Sequence, residues 1–297
     1  MAEFEEIVLR ANGLSFSALA HGQGPIVLCL HGFPDHRRSY RLQMPALAAA
    51  GFRAVSPTLR GYEPSSQPSD GDYHVIRMAE DVVAWIDDLG AERVHLVGHD
   101  WGAIISYAVA ALAPERLHSL TTLAVPDLGG LLRHHGLRTI PTQIWKSWYI
   151  LFFQIPWIPD RLLPKRDWAF IDRLWRDWSP GWSPPARELA IVKNALAQPG
   201  VRNAALSYYR SLFSIDREAR RTLELLMQTI VTPTLAITGA QDGCMDTTLF
   251  DSAMRPQDFP GGLTIERILG AGHFPHQERH DEVNRLLLAW LRRYTPV

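Results

Sequence analysis

Cysteine is scarce in this sequence. Cys29 and Cys244 are the only two, too few for a disulfide framework, and Cys29 lies inside the apolar run PIVLCL, where it reads as a buried thiol. Charge of one sign is missing as well. The 30 Lys and Arg residues balance 31 Asp and Glu, for a formal net charge of −1, so nothing electrostatic points to nucleic acid or an anionic membrane as partner. No apolar run is long enough for stable membrane insertion: WYILFFQIPWIP is short and carries Gln154, Pro156 and Pro159. The start, MAEFEEIVLR, is acidic and lacks the basic and apolar regions of a signal peptide. No internal repeat, low-complexity tract or long charge run is visible. These absences leave a soluble, cytoplasmic protein as the expectation, as a monomer or homodimer.

What is present is a large core. Hydrophobic residues make up 46% of the 297 and charged residues 21%, enough for one large α/β domain or two modest ones. EIVLR and LSFSALA read as an antiparallel pair turning at Asn12-Gly13. IVLCL, FRAVSP, RVHLVG, LHSLTTLAV, PTLAITG and LTIERIL read as further strands. Helical spacing over Val75 to Leu89 ends at Gly90, and a closing helix is expected from about Gln277 to Tyr294. The alternation argues for a mostly parallel sheet covered on both faces. It stops between Gly129 and Ile215, where helical patterns are separated by proline. Seven tryptophans (Trp145, Trp148, Trp157, Trp168, Trp175, Trp178 and Trp182) fall in that stretch. The expected division is a core of residues 1–128 and 216–297 with a helical cap at 129–215, its aromatics either roofing a pocket or packing the cap itself.

The stretch VHLVGHDWGAIISY runs strand, G-x-D-x-G, helix. That is the layout of a nucleophile elbow with Asp100 where a serine is usual. A serine hydroxyl needs a base before it attacks; an aspartate is already anionic at neutral pH. Attack by a carboxylate on an acyl carbonyl gains little, because the product is a mixed anhydride. Attack on an sp³ carbon bearing a leaving group gives an alkyl ester, which water can hydrolyse at the aspartate's own carbonyl carbon. Asp100 therefore points to displacement at saturated carbon, in an epoxide or an alkyl halide. The second step needs a base, for which His273 in GAGHFPHQE is the candidate, oriented by Asp242 in AITGAQDGCM. Asp127 in LAVPDLGG is the rival orienter. The order Asp100, Asp242, His273 is the order of the α/β-hydrolase fold, whose oxyanion donors would be the backbone N–H groups of Phe33 and Trp101. Phe33-Pro34 is a candidate cis peptide.

HGFPD, RGYEPSS, GHDWG, QDG and GHFPHQE, in this order, resemble the epoxide hydrolases of the α/β-hydrolase fold. Haloalkane dehalogenases, close relatives, share the HDWG elbow. The resemblance covers nearly the whole chain. It implies an eight-stranded, mostly parallel sheet with helices on both faces, an inserted helical cap, no cofactor or metal, and a small hydrophobic epoxide and water as reactants. It also implies two cap tyrosines that hydrogen-bond the epoxide oxygen. YILFFQIP puts Tyr149 four residues before Phe153, and ALSYYRSLF puts Tyr209 before Arg210. Tyr208 is the rival of Tyr209, since adjacent helical residues face differently. An alkoxide is a poor leaving group and needs such donors, whereas a halide needs a polar cradle. Trp101 serves either enzyme, but Phe33 stands where many dehalogenases carry a polar residue. Phe33, Trp101, Phe153 and Phe274 are the implied pocket aromatics. The reading is an epoxide hydrolase that makes vicinal diols, with a haloalkane dehalogenase and a non-catalytic binding protein as alternatives.

Some features depart from that pattern or admit a plainer account. HRRSY follows HGFPD where aromatics are common, so Arg37 and Arg38 read as capping or solvated. FQIPW replaces a frequent FQEPG. His276 and His280 have the spacing of a helical zinc pair, but Gln277 replaces the glutamate of H-E-x-x-H and no third ligand is evident. His99 reads as packing beside the elbow. His21, His74, His95, His118, His134 and His135 read as satisfied or solvated.

Overall fold

The computed structural model describes residues 4–135 and 141–295, except for the side chains of His135 and Pro141. Its strands are β1 (Glu5–Ala11), β2 (Leu14–His21), β3 (Ile26–Leu30), β4 (Arg53–Pro57), β5 (Val94–His99), β6 (Leu117–Leu123), β7 (Thr234–Gly239) and β8 (Leu263–Ile268). They form one 8-stranded sheet in the order β1-β2-β4-β3-β5-β6-β7-β8. β2 pairs antiparallel with β1 and β4, and the remaining neighbours are parallel. Asn12 and Gly13, both at positive φ, make the hairpin turn between β1 and β2.

The continuous apolar run of β3 follows from burial on both faces. Leu28 and Leu30 enter one core with Trp85, Ile86, Ile105 and Val109 of the helices Val75–Asp88 and Trp101–Leu112. Val27 and Cys29 enter the other with Met44, Leu47, Val283 and Leu287 of Met44–Ala49 and His280–Tyr294. The strand order reverses direction around β3, with β4 on one side and β5 on the other. Such a switch point opens a crevice at the carboxyl ends of the strands. The loop after β3 and the turn after β5 meet there.

Between β6 and β7 the described residues form only helices, from Leu128–His135 to Arg217–Leu226. Of the seven tryptophans, Trp168, Trp175 and Trp178 are buried, while Trp145 and Trp157 are 81% and 74% exposed, so the cluster is not one pocket lining. The closing helix differs from expectation. It is two helices, Pro275–Glu278 and His280–Tyr294, broken at Arg279. The Glu278 carboxylate turns back to accept from the N–H groups of Gly272 and Phe274, capping the start of the first helix, and Arg279 leaves the helical region at φ −130°, ψ 49°. No helix among the described residues is long and apolar enough to cross a membrane.

Candidate active site

Asp100 joins β5 to the helix Trp101–Leu112 at φ 53°, ψ −117°, a strained backbone for a non-glycine residue. The flanking glycines permit the turn. A Cβ at Gly98 would strike the Gly102 carbonyl, and one at Gly102 would strike the Leu30 carbonyl. Gly32 is needed for the same reason, since a Cβ there would meet the Asp100 side chain. The loop after β3 can thus lie against the elbow, and Phe33 N–H donates to Asp100 Oδ1 at 2.7 Å. The Phe33-Pro34 peptide is cis.

His273 is fully buried and arrives from the turn after β8. Its Nδ1 lies 3.0 Å from Asp242 Oδ2, and its Nε2 lies 3.4 Å from Asp100 Oδ2 without hydrogen-bond geometry. Burial pulls the imidazole pKa down, but Asp242 and then Asp100 outweigh it and hold it at about 10. Asp242 Oδ1 is fixed by the N–H groups of Cys244 and Met245. Asp127 is elsewhere, accepting from Gly129 and Gly130 N–H and paired with Arg133.

Above Asp100 is a cavity of about 100 Å³ lined by Trp101, Ile104, Tyr149, Tyr209 and Cys244 among others. The Tyr149 and Tyr209 rings meet edge-on with centroids 5.7 Å apart. Tyr209 Oη is buried without a hydrogen bond, the Trp101 indole approaching it outside bonding geometry. Tyr149 Oη has a weak partner, Cys244 Sγ, at 3.4 Å. Burial first, and nearby acidic groups second, push both phenols well above 10, so both remain O–H donors at neutral pH. Tyr208 is turned away and donates to the Arg60 carbonyl at 2.5 Å.

The other pocket aromatics divide. Trp101 lines the cavity, while Phe33 and Phe153 pack edge-on against Tyr209. Phe274 does not line it; that ring stacks on Trp175 at 4.3 Å and reaches His99. Gln143, Leu128, Leu212 and Cys244 line the cavity unforeseen. Cys244 lies two residues beyond Asp242, Leu128 directly after Asp127 and Leu212 three after Tyr209, whereas no motif lies beside Gln143.

The helix break also separates His276, fully buried, from His280, whose side chain is 42% exposed. His276 instead clusters with Asp35 and His99, with candidate ligand atoms within 4.8 Å of one another. Burial drives both imidazoles down, His99 to about 3, and raises the Asp35 carboxyl to about 7. Ser39 and Gln277 donate to Asp35, Ser39 Oγ contacts His276 Nε2, and His99 Nε2 bonds the His273 carbonyl. The chemistry of this set is that of a buried hydrogen-bonded support behind His273, with both imidazoles neutral. His74, His95 and His134 have polar partners, Asp72, Ser119 and Asp258, and the His135 side chain lies outside the described residues.

Residues 25–152 match the family model of the alpha/beta hydrolase fold. The chain is 32% identical to epoxide hydrolase A of Mycobacterium tuberculosis, over 96% of this chain and 97% of that protein. The structure of an epoxide hydrolase from Vigna radiata aligns with a TM-score of 0.83 at 25% identity, covering 99% of each chain. Epoxide hydrolase A from Mycobacterium thermoresistibile aligns with a TM-score of 0.79 at 30% identity, covering 98% of each.

Proposed function

We propose that this chain, which belongs to the epoxide hydrolases of the α/β-hydrolase fold, converts an epoxide and water to a vicinal diol through a covalent ester on Asp100. Asp100 Oδ2 attacks a ring carbon, the carbon–oxygen bond of the ring breaks, and its electrons pass to the epoxide oxygen. Tyr149 and Tyr209 hydrogen-bond that oxygen and supply the proton it takes up. The ester then lacks the Asp100 charge that helped hold the His273 proton. His273 gives up that proton by way of water to restore the phenol, and the neutral imidazole, held by Asp242, becomes a base for the second step. It removes a proton from water, which attacks Asp100 Cγ. Negative charge collects on Oδ1, where the Phe33 N–H already donates and where the N–H of Trp101 adds a second donor. Collapse breaks the Cγ–Oδ2 bond, and the departing oxygen takes the proton of the hydroxyl that water left on Cγ, which releases the diol with Asp100 ionised and His273 protonated as at rest.

The observation that carries this reading is the pair of buried phenols over Asp100, one with no hydrogen bond and one with only a thiol partner. Such donors serve a developing alkoxide. Residues 1–128 and 216–297 form the catalytic core in this reading, and 129–215 the cap that brings the tyrosines. The test is mass spectrometry of His273→Gln after incubation with an epoxide. We expect an adduct of one substrate mass on the Asp100 peptide; an unmodified peptide, with the wild type active, rules out the ester.

A further inference from the structure

The reaction leaves a large space next to the cavity unassigned. A groove of about 540 Å³ lies among the helices Leu128–His135, Val201–Ser211 and Arg217–Leu226, beside the start of Val75–Asp88. Its walls are mainly aliphatic, from Leu128, Leu131, Leu132, Leu212, Ile215 and Leu223, and no Phe, Tyr or Trp is among the described residues lining it. Ile215 is 90% exposed and Leu223 50%, so among the described residues the groove presents apolar surface to water.

Leu128 and Leu212 line both this groove and the cavity above Asp100. The two spaces therefore share a wall of two leucine side chains. The cavity, at about 100 Å³, is far below the ~300–1,000 Å³ of ordinary small-molecule sites. The groove falls within that range. An epoxide ring held on Asp100 beneath the tyrosines fills the cavity, and any long substituent needs adjoining apolar space.

Resting on the hydrolase reading above, we propose that the groove is the subsite for the alkyl tail of the substrate, reached between Leu128 and Leu212, and that the enzyme selects terminal epoxides with a long unbranched chain. The aliphatic walls suit a flexible chain better than an aryl ring, which gains most from aromatic neighbours. Selectivity follows from apolar area removed from water, so kcat/KM rises with chain length until the groove is full.

The test is a series from 1,2-epoxybutane to 1,2-epoxydodecane on wild type, Leu223→Trp and Ala219→Trp. Both substitutions put an indole into the groove at positions that do not line the cavity. In the wild type kcat/KM should rise roughly threefold per methylene. In each variant the ratio of kcat/KM for the longest over the shortest epoxide should fall about tenfold, ~1.4 kcal/mol. A variant-free measurement accompanies it: 1,2-dodecanediol should inhibit the wild type more tightly than 1,2-butanediol. Flat chain-length dependence, an unchanged ratio in the variants, or equal inhibition by the two diols overturns the subsite. Absence of Asp100-dependent turnover for every epoxide overturns the hydrolase reading instead, and the subsite with it.

Discussion

The Phe33 N–H holds Oδ1 of Asp100 at 2.7 Å, which makes the two oxygens of that carboxylate inequivalent. In the proposed mechanism Oδ1 sits where charge collects during ester hydrolysis, and Oδ2, 3.4 Å from His273 Nε2, is left to attack. Because water then enters at Cγ, the diol of the first turnover carries the old Oδ2 and the enzyme keeps the oxygen from water. A single turnover in H2¹⁸O should therefore label Asp100 and leave the diol unlabelled. Label in the first-turnover diol would mean direct attack of water on the ring.

His273 sets the pH behaviour. Its pKa of about 10 in the resting site means an imidazolium at neutral pH, favoured by Asp242 and Asp100 over the cost of burial. Alkylation removes the Asp100 charge, so the pKa falls in the ester. With His273 as the proposed base, the hydrolysis step needs neutral imidazole and should gain rate as pH rises through that lower value. The alkylation step, which does not need it, should hold level from neutral pH toward 10. Asp100→Asn mimics the ester's charge, and NMR titration of His273 there should give a pKa lower by roughly one to three pH units. An unchanged value in this variant would remove the charge-coupled base.

In the proposed mechanism Tyr149 and Tyr209 act on the first step only. Each Tyr→Phe change removes one donor from the alkoxide without altering burial. On the scale of other single donors at developing oxyanions, each should lower the alkylation rate on the order of 10²-fold. The double variant should lose more, and hydrolysis of preformed ester should be little affected. Stopped-flow fluorescence of the cap tryptophans separates the two steps. Equal slowing of both would deny the tyrosines their assignment as ring-opening donors.

The sequence is most legible where one short segment decides both backbone and chemistry. G-x-D-x-G already states the sharp turn at Asp100, because Gly98 and Gly102 are required by carbonyls they would otherwise strike. The β3 run IVLCL likewise announces burial on both faces. The site is less legible where distant segments meet. Gln143 reaches the Cys244 carbonyl across a hundred positions, and no local pattern joins them. The break at Arg279 is hidden for another reason. Nothing in HQERHDEV, without Pro or Gly, marks a stop, yet Arg279 leaves the helical region at φ −130°, ψ 49°, while the Glu278 carboxylate, accepting from Gly272 and Phe274 N–H, caps the start of the first helix. That break separates His276 from His280.

The same carboxylate belongs to a clamp that ties the cap to the base. Glu278 Oε1 accepts from Ser179 Oγ at 2.6 Å, and Ser179 Oγ accepts from His273 N–H at 3.0 Å. The neighbouring Trp178 carbonyl accepts from the N–H groups of both His273 and Gly243, so one corner of the cap grips the loops bearing His273 and Asp242. Ser179→Ala keeps the Trp178 carbonyl contacts but deletes the hydroxyl, leaving Glu278 with a partly buried oxygen short of a donor. Unfolding in urea should show a loss of about 1–3 kcal/mol. If the clamp also aims His273, kcat should fall several-fold with KM nearly constant, because a misplaced base slows ester hydrolysis without weakening substrate binding. Ser179→Thr, which keeps a hydroxyl at the same backbone position, should recover most of the rate. A stability loss with unchanged kcat would leave the clamp as cap-to-core glue and nothing more.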